Sequence, residues 1–141
     1  MIANFFRFVL CLGLCFSFAG SAAGAGAINQ SDAELTALLT GRWEETRLLD
    51  GQTDQQVMDL RANGKFEVRG VAQESGGDRP FVWRGTWTVK GGVLLYKTTY
   101  SDYREAYPVG VDFADRILSV TASEWRMIEG STGKESRATR N

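Results

Sequence analysis

Two Gly-x-Trp triplets constrain the fold of this chain more than any other feature. Gly41 and Trp43 open one stretch of alternating residues, and Gly85 and Trp87 lie within another. A glycine lets the backbone bend or pass close to a neighbour at a barrel corner, and a Trp two residues later lies on the same face of the strand. A large buried aromatic ring can close the end of a small barrel. The triplets therefore predict a small antiparallel β-barrel.

The first 27 residues have the three parts of a secretory signal peptide. They begin with one positive charge at Arg7, continue with an apolar run over residues 8–19 and end in small residues. Cleavage is expected after Ala23, Ala25 or Ala27, and the sequence does not choose among them. Because the apolar run is shorter than the ~20 residues that cross a bilayer, we expect export to the periplasm or the exterior with no stable membrane anchor after cleavage.

Both cysteines, Cys11 and Cys15, lie inside that apolar run, so the exported protein has no thiol. Disulfides, zinc-thiolate sites and cysteine nucleophiles are therefore excluded. A lipoprotein signal has small residues just before its cysteine, whereas Leu10 and Leu14 precede the two cysteines here. We accordingly expect no lipid anchor.

Composition limits the function of the remaining chain, residues 28–141, which has the length of one domain. Only Arg7 of the 33 acidic and basic residues lies in the leader, so the mature net charge is −2 and no nucleic-acid partner is indicated. The chain has no His and no Gly-x-Ser-x-Gly motif, and Asp112 and Asp115 lack the spacing of a metal loop. We therefore expect no catalytic residues, no metal and no cofactor, and interpret the protein as a non-enzyme.

The mature chain predicts one short helix followed by short strands. Ser31 and Glu34 have the spacing of a capping box, and the helix that they begin ends before Gly41. From there the residues alternate with a period of two, and Asn63-Gly64 is the strongest hairpin signal. The predicted strands cover residues 42–49, 55–61, 65–73, 81–89, 93–99, 109–113, 117–121, 124–129 and 134–140.

Turn signals separate these strands at regular intervals. Turns are predicted at Asp50-Gly51, Gly91-Gly92, Ala114-Asp115 and residues 131–133, and longer loops over residues 74–80 and 101–108. Eight or nine short strands with this spacing are typical of an up-and-down barrel or a sandwich. Because consecutive strands usually pair, we expect an all-β, up-and-down antiparallel barrel of about eight strands with a short N-terminal helix.

The order of three segments resembles the small bacterial lipocalin-like domains. These segments are LTGRW at residues 39–43, MDLRANGKF at residues 58–66 and WRGTWTVKGGVL at residues 83–94, and the resemblance covers nearly the whole mature chain. It implies a lipocalin-like barrel in which Gly41 and Trp43 lie at the closed end. It also implies that Trp43 packs against a basic residue from the last strand, which Arg137 matches. The chain departs from true lipocalins in being shorter and in having no disulfide.

Alternation places a set of side chains on the inner face of such a barrel. We expect a small apolar ligand to contact Val68, Trp83, Tyr96 and Met127, with Tyr100 and Tyr103 at the barrel mouth. The same side chains can instead fill a narrow barrel as its core. Two function classes remain: a barrel that binds a small hydrophobic ligand, or a packed barrel whose Tyr-rich and Gly-rich loops bind an envelope protein, for example as an enzyme inhibitor.

Overall fold

The fold is seen in a computed structural model that describes residues 29–49 and 52–140. One helix and eight strands follow each other: α1 (Asp32–Leu39), β1 (Gly41–Leu49), β2 (Gln52–Leu60), β3 (Lys65–Glu74), β4 (Gly77–Lys90), β5 (Val93–Ser101), β6 (Asp112–Val120), β7 (Glu124–Ile128) and β8 (Glu135–Thr139). The predicted signal peptide and the Asp50-Gly51 turn lie outside the described residues. In this described part of the chain, no helix has the length and apolar character needed to span a membrane.

Each strand pairs antiparallel with the next, and β8 pairs with β1 to close the sheet into a barrel. The closing seam is short, because Glu44 lies opposite Thr139 and Glu45 opposite Ala138 and no further pairs join these two strands. Closure removes the free sheet edges that an open β-sheet would present. The predicted up-and-down barrel of eight strands with a short N-terminal helix is confirmed.

Helix α1 covers one end of the barrel, which we call the helix end. The predicted capping box is present, since the Ser31 hydroxyl accepts a hydrogen bond from the Glu34 N–H and the Glu34 carboxylate accepts one from the Ser31 N–H. The Asp32 carboxylate then accepts hydrogen bonds from the N–H groups of Gly91 and Gly92, at 2.8 and 3.1 Å. Leu35 and Leu39 are buried against the strands. These contacts fix the helix across the β4–β5 turn.

Trp43 and Trp87 close the helix end from inside. Trp43 has no exposed surface, and its indole N–H donates to the Leu39 carbonyl at 2.7 Å. The Trp87 indole N–H donates to the carbonyl of Arg61 at 3.0 Å, across the β2–β3 hairpin. Each ring therefore combines a large buried apolar area with a satisfied polar atom.

The basic residue that packs on Trp43 is Arg140, which corrects the assignment of Arg137. The Arg140 guanidinium carbon lies 4.3 Å from the Trp43 ring centroid, and its Nη1 donates to the Thr40 carbonyl at 3.0 Å. Arg137 is exposed on the outer face and pairs with Glu124. The physical reason is strand phase: Ala138 faces inward, so Arg137 must face outward.

Gly85 is required by the close approach of two strands. A Cβ atom added there would lie 1.8 Å from the Lys97 carbonyl oxygen, which is far inside van der Waals contact. The β4–β5 register also shifts at this point, because Arg84 pairs with Tyr100 and Gly85 with Thr98. Thr99 is left over as the extra residue of a β-bulge.

Two predicted connections are wrong. The predicted turn at Ala114-Asp115 lies within β6, which is continuous because residues 112–116 pair with β5 and residues 116–120 with β7. The buried Asp115 carboxylate accepts hydrogen bonds from the Tyr96 hydroxyl and the Gly130 N–H. The predicted loop over residues 74–80 shortens to a turn, and Pro80 lies in β4 opposite Val71. Proline is tolerated there because β5 pairs with β4 only from Trp83 onward, so this stretch of β4 has no second partner strand.

The opposite end of the barrel, which we call the mouth, is covered by residues 102–111, the mouth loop. The Asp102 N–H donates to the Val82 carbonyl and its carboxylate accepts from the Val82 N–H, at 3.2 and 2.7 Å. Arg79 donates to the Asp102 carbonyl at 3.1 Å and lies 4.4 Å from the Tyr103 ring centroid. The loop is thus attached to the exposed edge of β4.

Candidate functional site

Four of the six residues predicted to line a ligand site lie together inside the barrel. Val68, Trp83 and Met127 have no exposed surface, and Tyr96 is buried beside them. The Trp83 ring centroid lies 5.7 Å from that of Tyr96 and 4.8 Å from that of Phe66. These side chains form a packed aromatic core in the middle of the barrel.

The other two predicted residues, Tyr103 and Tyr100, are separated. Tyr103 lies in the mouth loop with its ring 5.4 Å from that of Phe81. Tyr100 is 47% exposed on the outer face of β5, with the Arg84 guanidinium 5.4 Å from its ring. The bulge at Thr99 explains this, because the extra residue reverses the phase of β5 and turns Tyr100 outward. Tyr100 therefore does not line the interior.

Tyr107, in the mouth loop, lies against Trp83, where a ligand was predicted to bind. Its ring is stacked on Trp83 at 4.5 Å between centroids, with 7° between the planes. Its hydroxyl points inward and lies 3.4 Å from both Asp54 Oδ2 and Gln56 Oε1. These two hydrogen bonds are longer than the 2.5–3.0 Å that is usual between oxygens. The Tyr107 side chain therefore fills the barrel interior beside Trp83, where it is well stacked but weakly hydrogen-bonded.

Below the mouth loop lies a group of buried polar side chains, which we call the polar cluster: Glu45, Arg47, Asp54, Gln56, Asp115 and Glu129. Arg47 is its only cation. Its Nε lies 3.0 Å from Glu45 Oε2 and 3.4 Å from Glu129 Oε1, and its Nη2 lies 3.8 Å from Asp115 Oδ2. Three carboxyl groups therefore share one guanidinium in the barrel interior, with Asp54 as a fourth buried carboxyl group nearby.

Most members of the polar cluster have further partners. Gln56 Nε2 donates to Glu45 Oε2 at 2.7 Å, and the Tyr96 hydroxyl donates to Asp115 Oδ2 at 2.6 Å. The Thr132 hydroxyl donates to Glu129 Oε2 at 2.9 Å. Both carboxyl oxygens of Asp115 and both of Glu129 therefore have a partner, whereas only Oε2 of Glu45 has one.

Several buried polar atoms in this half of the barrel have no hydrogen-bond partner among residues 29–49 and 52–140: Glu45 Oε1, Arg47 Nη2, Asp54 Oδ1, Trp83 Nε1 and Thr98 Oγ1. Asp54 is 1% exposed and Glu45 5%. A buried polar group without a partner costs about 1–3 kcal/mol, and more when it is charged. Such groups are rare in stable cores, and ordered water, an ion or a bound molecule is the usual partner of those that occur.

Burial and neighbouring charge set the protonation states in the polar cluster. Burial raises the pKa of Asp54, against the lowering effects of the Tyr107 hydrogen bond and the Arg47 charge. Burial also raises the pKa of Tyr107, so its hydroxyl stays protonated. For Arg47, burial acts to lower the pKa, but the attraction of Glu45 and Glu129 outweighs it and holds the pKa above its usual value. Arg47 is therefore a permanent cation, and burial favours the neutral form of Asp54.

Two open pockets lie on the outer wall of the barrel. One, of about 620 Å³, crosses β4, β5 and β6 around Thr88, Leu95 and Ala114. The other, of about 880 Å³, runs from β8 across β1 and β2 to β3 and includes Val57 and Arg69. Because outward-facing side chains form most of both pockets, neither is the interior of the barrel. Across residues 29–49 and 52–140, no group of three or more carboxylates is arranged to hold a metal ion.

The sequence contained a signal for the polar cluster that the prediction did not use. Glu45 and Arg47 have the same strand phase as the inward Trp43, and Asp54 has that of the inward Met58. Alternation alone would therefore have placed them inside the barrel.

Comparison with known proteins identifies the fold alone. No family model matches the chain, and no curated protein matches it. A crystal structure of a lipocalin-like protein from Bacteroides uniformis is similar to it, with a TM-score of 0.51 and 16% identity, over 74% of this chain and 99% of that one.

Two designed proteins also match, each at 22% identity and a TM-score of 0.45. One is a de novo fluorescence-activating β-barrel, matched over 79% of this chain and 100% of its own. The other is a redesigned β-barrel bound to DFHBI, matched over 78% and 100%. From the Bacteroides structure and the eight-stranded closed barrel together, the chain has a lipocalin-like fold, as its sequence resemblance implied.

Proposed function

We propose that this protein is an exported barrel that binds a small molecule in its mouth half, between Trp83 and the polar cluster. The observation that carries the proposal is the set of unpartnered buried atoms on Glu45, Arg47 and Asp54. A barrel that needed only a core would place apolar side chains at these positions, because unpaired buried charges destabilise a fold. A ligand with both a ring and polar groups would supply the missing contacts.

The mouth loop is the route by which such a ligand enters. Its inward contacts are the stacking of Tyr107 on Trp83, the packing of Tyr103 and Tyr107 on Phe81, and two long hydrogen bonds of the Tyr107 hydroxyl. It is attached to β4 through Arg79 and the hydrogen bonds between Asp102 and Val82. Opening of one loop costs less free energy than unfolding of the whole barrel. The ligand then takes the place of the Tyr107 side chain, so that Tyr107 and the ligand compete for Trp83.

A chemical-rescue experiment tests this proposal. The p-cresol molecule is the tyrosine side chain without its backbone, so it fits the space that Tyr107→Ala vacates. We expect p-cresol to bind Tyr107→Ala saturably, to raise its Tm and to quench its tryptophan fluorescence through Trp83. Wild type should bind p-cresol more weakly, because its own Tyr107 competes. Tyr107→Leu offers a second variant with less lost packing.

Tyr100→Ala is the matched control, because it removes a tyrosine from the outer face of the same region. It should be nearly as stable as wild type and should gain nothing from p-cresol. If p-cresol stabilises neither Tyr107 variant more than Tyr100→Ala, the barrel does not accept a ring at this place and the proposal fails.

A second candidate function is binding of an envelope protein through the mouth rim. The observation in its favour is the exposure of apolar side chains there: Tyr100 is 47%, Val109 44% and Val111 40% exposed. Exposed aromatic and aliphatic groups are enriched at protein interfaces. Crosslinking in the native envelope would support this function if Val109→Ser and Val111→Ser abolished one specific crosslink while p-cresol failed to bind.

A further inference from the structure

The charge balance of the polar cluster restricts what can bind there. Glu45, Asp54, Asp115 and Glu129 face a single cation, Arg47, and all five side chains are at least nine-tenths buried. With every carboxyl ionised the cluster would carry a charge of −3. An anion brought into this site would meet four carboxyl groups and one guanidinium that is already shared, so the interior potential opposes it.

The unpartnered carboxyl oxygens point in the same direction, whereas the unpartnered Arg47 Nη2 already has Asp115 Oδ2 3.8 Å away. Asp115 and Glu129 have their own hydrogen-bond donors, but Glu45 Oε1 and Asp54 Oδ1 have none. A carboxylate oxygen can only accept hydrogen bonds. The missing partner at these two positions is therefore a donor, and a charged donor gives the strongest hydrogen bonds to carboxylates.

Gln56 places the two carboxyl groups next to each other and next to the ring site. Its Nε2 donates to Glu45 Oε2 at 2.7 Å, and its Oε1 faces the Tyr107 hydroxyl at 3.4 Å. That hydroxyl is also 3.4 Å from Asp54 Oδ2. In the β1–β2 register Glu45 lies opposite Gln56 and Arg47 opposite Asp54, so Glu45 and Asp54 are diagonal neighbours on the inner face, near the hydroxyl end of the ring that is stacked on Trp83.

We propose that the molecule bound in the mouth half is a small aromatic ammonium ion, with its ring on Trp83 in place of Tyr107 and its cationic group between Asp54 and Glu45. The inference rests on the proposed function and names its ligand class. An organic cation uses both parts of the site, since its ring replaces the stacking of Tyr107 and its N–H groups bond the carboxylate oxygens that the Tyr107 hydroxyl leaves unpaired.

Three probes of nearly equal size and different charge test the ligand class: benzylamine as cation, benzyl alcohol as neutral molecule and benzoate as anion. Calorimetric titration of wild type at pH 7 and low ionic strength should give a dissociation constant for benzylamine about 10-fold or more below that for benzyl alcohol, the ratio expected for one added charge-assisted hydrogen bond. Benzoate should bind more weakly than benzyl alcohol.

Substitutions of Asp54 and Glu45 show whether their carboxyl groups cause the preference for benzylamine. Asp54→Asn and Glu45→Gln keep the size of each side chain and remove its charge, and each should reduce the preference for benzylamine to a few-fold. Asp59→Asn is the matched control, because Asp59 lies on the same strand but faces outward and pairs with Arg61. It should leave the preference unchanged.

The outcomes separate the two proposals. Equal binding of benzylamine and benzyl alcohol, or a preference that survives both carboxyl variants, would overturn the ammonium ligand and leave small-molecule binding in place. Tighter binding of benzoate than of benzylamine would also overturn the ammonium ligand and leave small-molecule binding in place. If none of the three probes binds wild type or Tyr107→Ala, small-molecule binding at this place is itself refuted.

Discussion

Replacing Arg47 by methionine removes the only cation of the polar cluster and leaves a side chain about as long as the aliphatic part of arginine. The three carboxyl groups that it contacts, Glu45, Asp115 and Glu129, then remain buried without a positive charge. Because the structure places these oxygens 3.0 to 3.8 Å from the guanidinium, each pair carries a Coulomb attraction of about 4 kcal/mol at an effective dielectric constant of 20. The desolvation of all four groups opposes this attraction.

The net loss in the free energy of unfolding is smaller than the sum of these Coulomb attractions. Removal of one member of a buried ion pair typically destabilises a protein by about 3–5 kcal/mol. We expect Arg47→Met to lower the free energy of unfolding by that amount at pH 8, a large part of the roughly 5–15 kcal/mol that a domain has. The same measurement on wild type gives the reference value.

Urea denaturation followed by tryptophan fluorescence measures both values. Arg47→Lys keeps the charge and should lose less than Arg47→Met. Arg69→Met is the outer-face control; its side chain is 65% exposed, and the change should stay within about 0.5 kcal/mol of wild type. An Arg47→Met protein within about 1 kcal/mol of wild type at pH 8 would show that the polar cluster is not held by this guanidinium, since breaking a buried pair costs more.

Further predictions concern the helix end, Asp54 and export. Trp43→Ala should destabilise the protein by about 3–5 kcal/mol in denaturant melts, as expected for a large buried aromatic, while Thr86→Ala on the outer face should change little. Because burial raises the pKa of Asp54, the folded protein holds that proton more tightly than the unfolded chain, so this group lowers stability as pH rises from 3.8 through its folded pKa. Asp54→Asn should remove this decrease and be more stable than wild type at pH 7; an unchanged pH dependence would contradict the assignment. Mass spectrometry of envelope protein should show an N-terminus between Gly24 and Ile28 without an acyl group, whereas a retained Met1 would contradict export.

The barrel could be predicted from sequence because one face of most strands is apolar. In β3 and β4, Phe66, Val68, Trp83 and Trp87 alternate with polar residues, so the period of two assigns each side chain to one face. The helix was equally clear from the capping box. These signals are local, and the closed antiparallel topology follows from pairing each strand with the next.

The polar cluster could not be predicted in the same way, because β1 and β2 are polar on both faces near the mouth. Outward Glu44 and Thr46 alternate with inward Glu45 and Arg47, so hydropathy does not distinguish the two sides. Only the alternation counted from Trp43, at the helix end of β1, assigns Glu45 and Arg47 to the inner face. Tyr100 was predicted wrongly for the opposite reason. The alternation of β5 clearly placed it on the inner face, but the bulge at Thr99 reverses that alternation. Nothing in a single sequence marks such a bulge.

The two ends of the barrel have different chemistry, and this difference supports a division of roles. At the helix end the indole N–H groups of Trp43 and Trp87 are hydrogen-bonded. Among the described residues, every unpartnered buried atom on an ionisable side chain lies in the mouth half, on Glu45, Arg47 and Asp54. Each such group lowers the stability of a marginally stable domain, and departures of this kind are expected at functional sites. If the mouth half binds a ligand as proposed, substitutions that satisfy the unpartnered groups should stabilise the fold and weaken the affinity for that ligand.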